Sequence, residues 1–221
     1  MINLDTFIDR FEKFKAMDYG YGFYNFWRYK VNIEQKSGHI LDKDHLSVTY
    51  DKLGPILRSW QTYRPSDPAV CLRRLKISLE EISSAYDHIR KFDLLSFQDA
   101  PRDKLQYIWH RLGLVKEPDK KEKFILNYLV MPITKPLMFL WGQTLAFDEV
   151  VRGNMPTSGY HGTEDNRWTF TLWHNVMRKF QQRVLEQPKF IDLSKDISRR
   201  EFGTEDFVPF GQFLDLYYWV G

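Results

Sequence analysis

Asp148 is the side chain in this sequence best placed to do chemistry. It stands beside Glu149 and between Phe147 and Val150, where apolar neighbours can shelter one of two adjacent acids while the other points to water. A sheltered carboxylate can stabilise a developing positive charge or orient a water molecule. Two cations flank it, Lys135 before an apolar block and Arg152 one helical turn after it. The same acid also reads as a helix cap that accepts from backbone amides near Arg152, and both readings stand at this point.

The elements that must position Asp148 can be read from spacing. Pro132 and Pro136 bracket Thr134 and Lys135, and Leu137, Met138, Phe139, Leu140 and Trp141 follow at once. This predicts a tight turn feeding a short buried helix that Gly142 ends. Leu4, Phe7, Ile8, Phe11 and Phe14 mark a first helix, with acids early and lysines late to complement its dipole. A second apolar stripe from Leu46 to Trp60 is interrupted by Gly54-Pro55, which should bend or restart the helix. Asp67-Pro68 opens the clearest helix, striped by Leu72, Leu75, Leu79, Ile82, Tyr86 and Ile89. Pro101 opens another, and Asp165 caps one that ends before Pro188. Ile33 to Asp44 reads as a surface loop with His39 and His45 in solvent, and Gly153 to Asn166 as the longest connection. Strand signals are scarce and about eight helices are expected. The expected fold is all-α, one helical domain over residues 1–221, arranged as two lobes with a cleft near residues 131–152.

Composition narrows the chemistry. The chain has 221 residues, 43% hydrophobic and 16% aromatic, with a net charge of +3 that permits nucleic acid without demanding it. Seven aromatics fall between Tyr19 and Tyr29 beside Arg28 and Lys30. Tyr21, Tyr24, Trp27 and Arg28 could stack on an extruded base, or the cluster could be an aromatic mini-core that pins the first helix. Cys71 is the single cysteine, so no internal disulfide framework or thiolate-rich zinc site can form. No Walker-type loop, histidine pair at metal spacing or G-x-S-x-G elbow occurs, and neither a cofactor nor a metal is expected. No signal-peptide pattern and no apolar run of about 18 residues is present, so a cytoplasmic protein is expected.

The apolar helix, short connection and D-x-x-V-R element resemble the corresponding part of helix-hairpin-helix DNA glycosylases. The tail, Pro209 to Gly221, is similar to the closing helix of a divergent bacterial branch with the pattern R-x-(L/I)-D-x-x-(L/F)-W-x-x-G. The family hairpin is L-P-G-(V/I)-G-x-(K/T). Here Met131-Pro132-Ile133-Thr134-Lys135-Pro136 keeps the proline and a lysine but lacks both glycines, whose backbone amides would approach a phosphate. The four cysteines that hold an iron-sulfur cluster in some members are also absent.

The resemblance implies a monofunctional DNA glycosylase acting on double-stranded DNA, which extrudes a modified base and hydrolyses its N-glycosidic bond. Asp148 would be catalytic. Lys135 and Arg152 would hold phosphates, while Trp141, Gln143, His161 and the 21–28 cluster would form the base pocket. The branch includes anti-phage enzymes acting on glucosylated hydroxymethylcytosine, which makes modified phage DNA a candidate partner. Lys135 could instead attack the sugar as an amine. The alternative from another class is a non-catalytic helical module that binds DNA or a protein, with Asp148 only a cap.

Overall fold

A computed structural model describes residues 2–36, 38–60, 72–115, 125–126, 129–155 and 167–219. Within them the chain forms α1 (Leu4–Lys15), α2 (Asp18–Lys36), α3 (Leu46–Ser59), α4 (Leu72–Ile89), a 3-10 segment (Leu94–Asp99) and α5 (Arg102–Gly113). It continues with α6 (Val130–Trp141), α7 (Glu149–Asn154), α8 (Phe170–Leu185), α9 (Pro188–Phe202) and α10 (Phe210–Trp219). The strands among the described residues are two-residue pieces, β1 (Leu114–Val115) and β2 (Ile125–Leu126), paired antiparallel. The all-α expectation holds at that level.

The helical stripes are buried as their spacing requires. Phe7, Phe11 and Phe14 of α1, Leu75, Leu79, Ile82, Tyr86 and Ile89 of α4, and Leu105, Ile108, Trp109 and Leu112 of α5 all lie in the core. Each fully buried large apolar side chain contributes roughly 1.5–3 kcal/mol, so these stripes dominate the stability of the helices that bear them. Local caps set their starts: the Asn3 side chain accepts from Thr6 N–H, and Thr169 Oγ1 from Leu172 N–H at 3.1 Å. The buried hydrophobic side chains form one connected cluster.

At its centre α6 has almost no solvent face: eleven of its twelve residues are buried, and it contacts α2, α3, α5 and α10. It ends where expected, at Gly142, whose φ of 80° is left-handed and whose N–H donates to Met138 O at 2.8 Å. A Cβ at Gly142 would lie 2.2 Å from the Trp27 ring, so close approach as well as conformation demands glycine there.

Several local expectations are corrected. The Pro132–Pro136 stretch is not a turn, because the helix already begins at Val130 and Pro136 lies inside it. Burial on every side offsets the hydrogen bond that Pro136 cannot donate. The stretch aligned to the glycosylase hairpin is therefore helical. Likewise α2 runs to Lys36 through the front of the expected loop, and His39 is buried, its ring edge-on to Tyr86 at 5.4 Å. Its Nε2 lies 3.0 Å from Asp42, yet burial still pushes the imidazole below its ordinary pKa. α3 passes through Gly54-Pro55 as one helix, and Pro188 starts α9. The expectations for Asp67-Pro68, Cys71, His161 and the 156–166 part of the long connection lie outside the described residues, and the expected Asp165 cap is corrected, because Thr169 caps α8.

Candidate functional site

Lys135 and Asp148 meet. Lys135 projects from the middle of α6 with only 6% of its side chain exposed, and its Nζ lies 3.6 Å from Asp148 Oδ2 and donates to Trp60 O at 3.0 Å. The ammonium also stands 5.4 Å over the Trp60 ring. Asp148 is the N-cap of α7, and its Oδ1 accepts from Val151 N–H at 3.0 Å, leaving 16% of the side chain exposed. The cap reading of Asp148 is met by Oδ1, while Oδ2 faces the Lys135 ammonium. Glu149 points outward, as the pairing of the two acids suggested.

The turn before Asp148 is strained. Phe147 adopts φ 51°, a left-handed conformation that costs a non-glycine residue roughly 1–2 kcal/mol. Its ring is fully buried and packs on Trp168 at 4.7 Å, a contact that offsets the backbone cost.

A third group, overlooked in the sequence, completes the cluster. Asp215 of α10 is 1% exposed, and its Oδ1 accepts from Ala146 N–H at 2.7 Å while Oδ2 has no partner. Burial, reinforced by the negative charge of Asp148, pushes its carboxyl up to about 8, against the opposing pull of the Ala146 amide and Lys135. The same burial holds the Lys135 ammonium below its ordinary value, with Asp148 and Asp215 pulling it back. Asp215, buried with one oxygen unpartnered, is therefore the acid that keeps its proton near neutrality. One turn earlier on α10, both amide atoms of Gln212 are also buried without partners. The signal for Asp215 was its solitary charge within the apolar run Phe210 to Trp219.

Arg152, on α7 after Asp148, has Nε and Nη1 buried and unpartnered. A buried guanidinium with open donors can receive an anion's oxygens. Lys135, expected at a phosphate, is instead an interior partner of Asp148.

The remaining candidate residues assemble elsewhere. Trp141 and Gln143 join Trp27 around a separate cavity that neither Asp148 nor Lys135 lines. Helical geometry explains the split, since Trp141 is six residues along α6 from Lys135, about 9 Å away and rotated by roughly 120°. Trp141 Nε1 donates to Phe92 O at 2.8 Å, and Gln143 bridges Leu94 N–H and Val208 O, both at 2.9 Å. The aromatic cluster of α2 is largely the mini-core: Phe23, Tyr24, Phe26 and Trp27 are buried, Tyr24 stacking on Phe202 at 5.7 Å. Burial drives the Tyr24 phenol above its ordinary pKa. Arg28 donates to Glu201 O at 3.0 Å, while Tyr21 is 72% exposed.

Comparison with known proteins gave no match to any family model, curated protein or solved structure. Among the described residues no three His, Cys, Asp or Glu side chains gather as a metal site, and no helix is long and apolar enough to cross a membrane.

Proposed function

We propose that this protein is a DNA glycosylase whose chemistry is centred on Asp148, the reading that the cluster's composition and the sequence resemblance support together. The observation that carries it is the pairing of Lys135 with Asp148 beside the buried Asp215. Departure of a base leaves positive charge on the deoxyribose, and Asp148, the more exposed member of the pair, is the carboxylate that would stabilise it. Asp215, buried and unpartnered at Oδ2, would keep its proton, while Asp148 faces the Lys135 ammonium. Arg152, with its open donors, would take a phosphate oxygen of the extruded nucleotide. The proposed substrate is a modified base in double-stranded DNA, glucosylated hydroxymethylcytosine being the first to try.

Burial lowers the cost of deprotonating Lys135, and an unprotonated amine can attack C1′ of the sugar as the base leaves; loss of the nitrogen's proton and opening of the C1′–O4′ bond then give an imine, the step that distinguishes a glycosylase with lyase activity from a hydrolytic one. Released bases measured by mass, from T-even phage DNA and unmodified DNA, test the main claim. Abasic sites that vanish in Asp148→Asn support it, and no released base from any modified or damaged DNA overturns it. Borohydride trapping of protein on DNA, lost in Lys135→Ala, would assign the lyase branch. The cap bond from Val151 N–H favours a second reading, a helical binding module in which Asp148 is structural. Tight DNA binding with no base release would establish that reading instead.

A further inference from the structure

On α8, which packs against the 3-10 segment, Phe170, His174 and Arg178 recur every fourth residue and so share one face. His174 is 6% exposed, its ring set 5.2 Å from that of Phe97 and 5.5 Å from that of Phe170. Its Nδ1 is buried without a partner, so a hydrogen bond between this ring and any guest runs through Nε2. Arg102, the first residue of α5, sets its guanidinium 5.6 Å from the centre of the same Phe170 ring. Arg178 stands one turn beyond His174, and side chains on a helix lean toward its N-terminus, which directs Arg178 toward the imidazole.

The charges that act on this ring are of one sign. Burial first, then Arg102 and Arg178, hold the His174 imidazole down to about 4, and no acid pulls the other way. Of the nearby acids, Asp103 meets Lys104 at 3.4 Å and Asp99 is exposed at the end of the 3-10 segment. Arg102 and Arg178 are both exposed, and neither makes an ion pair or hydrogen bond among the described residues. An exposed arginine alone is an ordinary solvated cation. Two of them acting on one nearly buried imidazole, with no counter-charge, are a set of donors that lacks an acceptor, the complement of an oxyanion with several oxygens.

We infer that Arg102, His174 and Arg178 form a phosphate-binding site, the two guanidiniums taking charged oxygens and His174 Nε2 a further one. None of the three belongs to the Lys135 and Asp148 cluster, and the inference does not depend on glycosylase activity. The phosphate can be free or part of a nucleic-acid backbone, and the two sources are separated by experiment.

NMR titration of the histidine ring signals of the full chain tests it, with sodium phosphate, a short DNA duplex and sodium chloride compared at matched ionic strength. His174→Gln assigns the resonance. Phosphate or the duplex should bind with a Kd below about 1 mM and move the His174 signal, and chloride should not. A bound phosphate offsets the two guanidiniums, so the titration midpoint of His174 should rise by about one pH unit or more. Arg102→Gln and Arg178→Gln, both surface changes, should each weaken binding by about tenfold or more, while Lys189→Gln, an exposed position on α9, should leave it unchanged. Binding of the phosphate ion identifies a free phosphate or small ester as the guest, and binding of the duplex alone identifies a nucleic-acid backbone. The inference is overturned if neither binds, if binding leaves the His174 signal in place, if chloride moves it equally, or if Lys189→Gln weakens binding as much as the arginine variants do.

Discussion

Replacing Asp215 by Asn removes a titratable group while keeping the side-chain shape and the acceptor used by Ala146 N–H. In the folded chain the carboxyl is raised from 3.8 to about 8, so the folded state holds a proton that the unfolded state gives up. For an acid shifted upward, the stabilising contribution is complete below the unfolded value and is lost as pH rises through the folded one. The window is thus pH 3.8 to about 8. The limiting slope is about 1.4 kcal/mol per pH unit, so the full window is worth on the order of 5 kcal/mol. Asn does not titrate. The lost Oδ2 is replaced by an amide donor that also lacks a partner, which adds a constant offset, so the slope rather than the absolute difference carries the argument. Lys135, shifted downward from 10.5, acts with the opposite sign toward alkaline pH, and measurements belong below pH 8. Urea unfolding followed by far-UV circular dichroism at pH 5, 6, 7 and 8 should show the variant gaining on the parent by at least ~2 kcal/mol across the series. Parallel stability curves for the two proteins would refute a protonated, buried Asp215.

Other substitutions test the packing that surrounds the cluster. Asp148→Ala should cost about 1–3 kcal/mol in urea unfolding, because it removes the α7 cap and strands the Lys135 ammonium, whereas Asp148→Ser should recover the cap share of about 1 kcal/mol. Gly211→Ala should cost about 3 kcal/mol or more by thermal melting, since its Cβ would meet Gln143 C and Thr144 N at 2.3 Å, both backbone atoms that cannot step aside. Gly203→Ala should cost only about 1 kcal/mol in the same melt, because its φ of 76° is unfavourable for alanine but nothing lies within 4 Å. Thr169→Ala should lower stability by about 1 kcal/mol through loss of the α8 cap, read from the urea midpoint.

Long periodic helices were legible in the sequence because burial follows spacing. The α4 stripe from Leu75 to Ile89 and the Gly142 terminus needed no tertiary information. The Pro132–Pro136 stretch was misread because proline's local preference for turns was weighed against no knowledge of the surroundings; in α6 all sides are covered, and burial wins over one missing hydrogen bond. His39 was misread for a related reason, since a histidine in a polar stretch gives no sign that Tyr86, far along the chain, will cover it. At the candidate site, sequence brought Lys135 and Asp148 into one stretch, but their contact depends on the reversal at Gly142 and the left-handed Phe147. Asp215 is distant in sequence and joins them only through the packing of α10 on α6 and α7. Trp141 was assigned to the wrong neighbourhood because adjacency along a helix is not adjacency in space.

The enclosure of α6 bears on how the chain must be made. A segment with no wettable side cannot rest in water by itself, so until α10 has been made and can pack on it, Val130–Trp141 offers a greasy surface to whatever is nearby. Chaperone demand during synthesis, and clumping when α10 is deleted, should both trace to those twelve residues.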